Sequence, residues 1–356
     1  MNFHFRFERR WFKPTARWIG LTAISLPLAW ALREAGFAAA FLVGPMIVAI
    51  GFGVGDARLT VPRPFFIGAQ AIIGCLVARS LSASILVSLA MDWAPMLLVV
   101  ASTVTAGGIV GWVLVRFRVL PGTTAAWGST PGGAAAMVAM AAEYGADFRM
   151  VGFMQYLRVI VVVLSASLVA HFLVGDAGGA IRQAAPAPAA MAALSVIETL
   201  VIALVGALAG WRLRVPAGAM LVPMAVGAVF NATGLVEIAL PGWLLAITYI
   251  LLGWFIGLGF NRDLLLYALR TIPKLLLASA MLIGLCALSA WMLTGLLGID
   301  PLTAYLATSP GGLDSVAIIA IGSHADIPFV LAVQTLRLFA VIVTGPQIAK
   351  LIVRYA

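Results

Sequence analysis

Apolar runs of about 15 to 25 residues, divided by short polar breaks, fill most of the chain. Each approaches the ~20 residues that a helix needs to cross the hydrocarbon of a bilayer. The pattern predicts spanning helices near 17–33, 36–54, 65–89, 94–116 and 150–174, and again near 191–210, 217–235, 241–260, 274–297 and 328–352. Two stretches, 121–146 and 301–325, do not fit. Each begins with Pro and Thr, runs into Pro-Gly-Gly and continues as a short Ala- or Ile-rich segment ending in charge. About a dozen apolar residues is too few for a full crossing and suits a re-entrant half-helix.

The pattern also repeats. Ser129-Thr130-Pro131-Gly132-Gly133 recurs 179 residues later as Thr308-Ser309-Pro310-Gly311-Gly312. The same offset carries Thr124 to Thr303, Asp147 to Asp326, Gln155 to Gln334 and Arg158 to Arg337. Upstream it carries Pro62 to Pro241 and Gly74 to Gly253, while Pro45-Met46 finds Pro223-Met224 one residue out of phase. Apolar matches come free in such a chain, but polar matches in one register do not. The reading is a tandem duplication: a basic N-terminus (1–16), membrane repeat 1 (17–174), a linker (175–190) with Gly178-Gly179, Pro186 and Pro188, and membrane repeat 2 (191–352).

Composition settles the solvent. Of 356 residues, 63% are hydrophobic and 10% are charged, against roughly 45–50% and about 25% in soluble domains. This excludes a soluble enzyme and a disordered chain. The net charge of +9 does not imply nucleic acid, because the basic residues sit in the breaks between apolar runs, as in a topology signal. Arg6, Arg9, Arg10, Lys13 and Arg17 precede the first run as they would in a secretory leader, but Pro27, Arg33 and Glu34 interrupt that run and no cleavage site follows. It reads as a retained, cytoplasm-facing anchor.

Charge counting orients the copies. Five spans plus a re-entrant hairpin per copy give two copies of opposite orientation. Seventeen Lys and Arg then share the side of the N-terminus: the five above with Arg58, Arg63, Arg116, Arg118, Arg149, Arg212, Arg214, Arg262, Arg270, Lys274, Lys350 and Arg354. Only Arg33, Arg79 and Arg182 lie opposite. Six spans per copy, the parallel alternative, reduce the split to 12 against 8. The positive-inside rule favours the first arrangement. The expected fold class is an all-α polytopic membrane protein of two inverted-topology repeats. Each repeat has about five spanning helices and a re-entrant or broken Pro-Gly-Gly helix, with both termini cytoplasmic.

Candidate chemistry gathers at the breaks. A helix beginning at Pro-Gly-Gly presents unpaired N–H groups and the positive end of a dipole, which suits an anion. The glycines Gly132, Gly133, Gly311 and Gly312 permit close approach. Ser129, Thr130, Thr308 and Ser309 can cap that end or contact a ligand. Arg158 lies ten residues into its helix, near mid-bilayer, and Arg337 mirrors it; Gln155 and Gln334 share their faces. A charge there is costly and needs a partner. One reading makes each arginine a strut on helix-end carbonyls or a buried carboxylate; the other makes it a ligand contact. Asp314 and Glu198 are candidate partners or ion- and proton-coupling sites, and neither has a counterpart in the other copy. Asp147 and Asp326 read as interfacial caps, and Glu143 as the partner of Arg149. Gly107-Gly108-x-x-Gly111 and Gly253-x-x-x-Gly257 fit small-residue helix packing, and the ten Trp fit interfacial belts. Cys75 and Cys286 are isolated and suggest small core residues. His4, His171 and His324 match no metal spacing. No catalytic triad, phosphate loop or dinucleotide fingerprint occurs, so no catalytic residue, metal or cofactor is expected.

The paired motifs, Ser-Thr-Pro-Gly-Gly at 129–133 and Ser-Pro-Gly-Gly-Leu at 309–313, are each followed by Gly-Ala-Asp or His-Ala-Asp and then Gln-x-x-Arg. Together they resemble the AbrB-type bacterial membrane protein family, over about residues 20–350. The family shares only a name with small soluble DNA-binding regulators. The resemblance implies the labels its members carry, regulator of gene expression or ammonia monooxygenase, and a kinship with antiporter and symporter folds. Three scattered histidines cannot build the copper or iron site of a monooxygenase, and nothing here reads DNA directly. The residues support an inner-membrane secondary transporter of a small anionic solute. In it one copy-derived bundle moves against the other, coupled to H+ or Na+ since no ATP motif occurs. The rival is a membrane sensor acting through a partner. The expected partners are the lipid bilayer, the solute and, in a homo-oligomer, further copies of the chain.

Overall fold

The computed structural model describes residues 14–35, 40–82, 85, 92–174, 193–214, 217–311 and 326–355. Residues 1–13, the linker 175–190 and the residues 312–325, with Gly312 and Asp314, lie outside the described residues. Among the described residues the chain is all-helical. The first copy supplies α1 (Pro14–Glu34), α2 (Ala40–Val54), α3 (Arg63–Arg79), α4 (Trp93–Arg116), α5 (Gly122–Ser129), α6 (Ala134–Glu143) and α7 (Phe148–Val174). The second supplies α8 (Ala193–Arg212), α9 (Gly218–Ala232), α10 (Gly242–Leu258), α11 (Arg262–Leu297), α12 (Pro301–Thr308) and α13 (Ile327–Tyr355).

Among the described residues four segments are long and apolar enough to cross a membrane: Trp93–Arg116, Ala193–Arg212, Arg262–Leu296 and Pro328–Arg354. The outer surface agrees. Ile19, Trp93, Leu204, Leu277 and Trp291 are each more than half exposed, a covering that suits lipid better than water. The helix expected at 274–297 starts instead at Arg262, because the Asn261 side chain accepts the Leu264 N–H and Asp263 occupies the first turn. At 36 residues and 1.5 Å per residue it measures roughly 54 Å, so its charged first turns overhang a bilayer core of about 30 Å. One tryptophan departs from the interfacial expectation: Trp127 is 1% exposed, walled by Gly345, where a Cβ would lie 2.8 Å from its ring.

The helices form two bundles. In one, α3 packs on α8, α9 and α10, α2 on α1 and α10, and α8 on α9. In the other, α4 packs on α5, α11, α12 and α13, and α7 on α5, α6, α11 and α12. The chief links across the seam are α3 with α6, α7 with α10, and α2 with α11. The expected copy-derived bundles are therefore corrected: each bundle contains helices of both copies. The reason is packing. Small residues let the third helix of each copy approach the second helix of the other at backbone distance, where a Cβ at Gly74 would meet the Met220 carbonyl and one at Gly253 the Leu42 carbonyl. Leu42 and Met220 are 178 apart, which is the one-residue phase slip already visible at Pro45-Met46. The glycine motifs do the packing expected of them: Gly107 faces Pro131, Gly111 faces Ser129, and Gly257 meets the α2 backbone.

Candidate functional site

Pro131 has no N–H to donate and pushes Thr130 into an extended conformation (φ −64°, ψ 126°), which ends α5. Gly133 (ψ 119°) then starts α6 with no side-chain cap. Pro310 ends α12 in the same manner, leaving Ser309 extended at ψ 131°. Each break is pinned from below. Thr124 Oγ1 accepts the Asp147 N–H at 3.1 Å, and Thr303 Oγ1 accepts that of Asp326 at 2.9 Å. The two aspartates are caps, as expected: Asp147 accepts from Arg149 N and Asp326 from Phe329 N. The pairing of Glu143 with Arg149 is corrected. Arg149 instead forks onto Asp147 at 2.8 and 2.9 Å and donates to the Gly259 carbonyl across the seam. Burial pushes the Asp147 carboxyl up, but the bonds and charge of Arg149 outweigh it and hold the group below the usual carboxylate range.

Above each break lies one arginine. Arg158, 2% exposed, donates from Nη1 to the Thr130 carbonyl at 3.0 Å and from Nη2 to Gln155 Oε1 at 2.6 Å. Gln155 Nε2 donates to the carbonyls of Trp127 and Thr130. Arg337, 3% exposed, repeats the arrangement on Ser309, Gly311 and the amide oxygen of Gln334, whose Nε2 donates to Leu306 and Ser309. The networks match at the 179-residue offset at Thr130 and Ser309 and at the two glutamines, while Arg158 also reaches Ser129 and Arg337 also reaches Gly311. The guanidiniums thus face the carbonyl ends of α5 and α12, the negative ends of those dipoles, and the glutamines hold the arginines, with both amide hydrogens and the oxygen already engaged.

The hydroxyls correct another expectation. Ser129 and Thr130 both donate back to the Ala126 carbonyl and do not cap α6, and Thr308 donates to the carbonyls of Ala304 and Tyr305, so these hydroxyls finish the preceding helix. Ser309 Oγ, Arg158 Nε and Arg337 Nε are buried without a partner. Among the described residues neither arginine forms an ion pair. Cys286, where the first copy has Gly107, and Cys75 are buried free thiols. Glu198 is half-buried on α8 in the other bundle and is not brought to the arginines.

Two residues absent from the sequence reading complete the inventory. Both amide atoms of Gln70 (0% exposed) and Oγ1 of Thr335 (1% exposed) are buried without partners. A separate groove of about 390 Å³ between α4 and α13, lined by Val104, Gly108, Trp112 and Ile352, is apolar and open; its chemistry does not suit an anion.

Fold and site define an all-helical protein of membrane type with a buried cationic centre at paired helix breaks. The chain belongs to the AbrB family: the family model described as Transition state regulatory protein AbrB matches residues 41–353. A protein of Escherichia coli (strain K12), named as a candidate regulator, AbrB, is 48% identical over 343 residues, covering 96% of this chain and 98% of its own length. The Uncharacterized protein YhjN of Bacillus subtilis (strain 168) is 26% identical over 351 residues, covering 93% and 91%.

Proposed function

We propose that the protein is a gradient-driven secondary transporter of the bacterial inner membrane, with cytoplasmic termini, that carries a small anionic solute bound between its two broken helices. One observation carries this reading. One buried guanidinium sits at each of the two breaks, without a carboxylate partner among the described residues and with its Nε proton unused. A buried charge in that condition costs several kcal/mol, and an anion relieves it. The uncapped N-terminus of α6 adds backbone donors. Asp314 and Glu198 are the candidate carriers of the coupling H+ or Na+. The protein performs no covalent chemistry in this account.

Inverted repeats underlie the mechanism. In their support, the third helices of the two copies run antiparallel: Phe66 at the start of α3 stacks on Phe255 at the end of α10, with centroids 3.9 Å apart. Likewise the Tyr267 hydroxyl, at the start of α11, donates to the Val119 carbonyl just beyond α4. Copies related by an axis along the membrane normal would place such pairs parallel. The sparse seam supports motion of one mixed bundle against the other.

The second reading is a membrane sensor that binds the solute and signals through a partner without transport; the name of the Escherichia coli relative favours it. Purified protein in liposomes, assayed for uptake of small organic acids with and without a pH gradient, separates the two. Uptake that follows the gradient and vanishes in Arg158→Ala supports transport. Binding without uptake leaves the sensor, and binding and uptake that survive Arg158→Ala and Arg337→Ala remove the site.

A further inference from the structure

The lining of the groove between α4 and α13 suits no anion, but one end of it is charged. Val104, Gly108 and Trp112 form its α4 wall, and Ile348, Leu351 and Ile352 its α13 wall. The two helices pack together and run parallel. A Cβ at Gly111 of α4 would lie 3.0 Å from Ile352, and one at Gly122, just beyond α4, 2.8 Å from Val353, so both helices end on the same side. Arg116 lies one turn beyond Trp112 and continues its stripe. Arg354 lies one turn beyond Leu351. Both arginines are exposed, and Arg118 and Lys350 add exposed charge at that end. Neither helix contains an acidic residue.

The groove therefore passes from an apolar trough to a basic rim. From Val104 to Trp112 it extends roughly 12 Å along α4 at 1.5 Å per residue. Midway, nothing lies within 4 Å of the Cβ position of Gly108. Trp112, 41% exposed, stands between trough and rim, where an interfacial ring is expected. Basic last turns also complement helix dipoles and mark topology, but neither role calls for a recess leading up to them. A second copy of the chain fits poorly, because a two-fold axis along the membrane normal would set these basic ends against their own counterparts. A molecule with an apolar chain and an anionic head matches both parts.

We propose that the groove is a binding site for an anionic phospholipid. An acyl chain lies against Gly108 and its neighbours, and the phosphate accepts from Arg116 and Arg354. The site is separate from the buried arginines at the helix breaks and does not depend on what they bind.

The test follows the melting temperature of purified full-length protein in a neutral detergent, titrated with phosphatidylglycerol, phosphatidylcholine or glycerol phosphate. Phosphatidylglycerol raises it saturably, with an apparent affinity at least about tenfold above that of phosphatidylcholine. Glycerol phosphate, a head without chains, has no effect. The double variant Arg116→Gln, Arg354→Gln loses the preference for the anionic lipid. Gly108→Leu, which fills the open trough, weakens the response to both lipids. Equal affinities for the two lipids in wild type, or a preference that survives the double variant, overturns the proposal. An undiminished response in Gly108→Leu also overturns it, because the effect is then diffuse surface charge. A rise with glycerol phosphate alone makes this a free-phosphate site, and a dimer that Gly108→Leu dissociates gives the groove to a second copy; either result overturns the lipid. The wild-type comparison of the two lipids decides the matter even where a variant fails to fold.

Discussion

A Thr hydroxyl that accepts a buried backbone N–H is small, yet here it ties a helix break to the start of the next helix. Thr124→Val and Thr303→Val each leave an aspartate N–H without its acceptor, and each is expected to cost about 1–3 kcal/mol, seen as similar drops in melting temperature. Asp147 adds a pH dependence. Its carboxyl titrates below the ordinary value of about 3.9, so its contribution is complete above that value and fades as pH falls through the lowered one. Thermal melts should lose stability as pH falls below about 3.9 in wild type but less in Asp147→Asn. These residues were legible in the sequence because Thr124, Asp147, Gln155 and Arg158 recur unchanged in the second copy. Gln70 and Thr335 were not, because their counterparts are tyrosines and a search for identity passes over them. What the arginines touch was also hidden: hydropathy places a charge at mid-membrane but does not say that carbonyls of the preceding half-helix receive it.

The elements were largely visible as apolar runs, and the errors have physical causes. Arg262, Arg270 and Lys274 look like a loop to hydropathy, whereas capping by Asn261 carries the helix through them. Close helix crossings give a sharper test. A side chain at Gly253 must displace the Leu42 carbonyl and the Met46 N–H region, so Gly253→Leu is expected to destabilise by more than about 2 kcal/mol. Gly108 has nothing within 4 Å of its Cβ position, so Gly108→Ala is expected to be neutral or to stabilise by up to about 1 kcal/mol. Melting curves of the two variants in one detergent check the contrast.

At the scale of the whole molecule, the 179-residue offset of the polar motifs was readable in the sequence, but the mixing of helices from both halves of the chain in each bundle was not. Periodicity describes each helix singly, and the choice of neighbour depends on where glycines let backbones meet. Inversion has its own check. In a background with Cys75 and Cys286 replaced by Ala, Asp147→Cys and Asp326→Cys are expected to react with an impermeant maleimide from opposite sides of sealed vesicles. The claim common to the transporter and the sensor is that the paired arginines hold an anion. Its most direct test is the melting temperature of purified protein titrated with small organic acids, in wild type and in the double variant Arg158→Gln, Arg337→Gln. The account predicts a saturable rise in wild type that the double variant lacks. An equal rise in both proteins, or a double variant that alone responds, would contradict it.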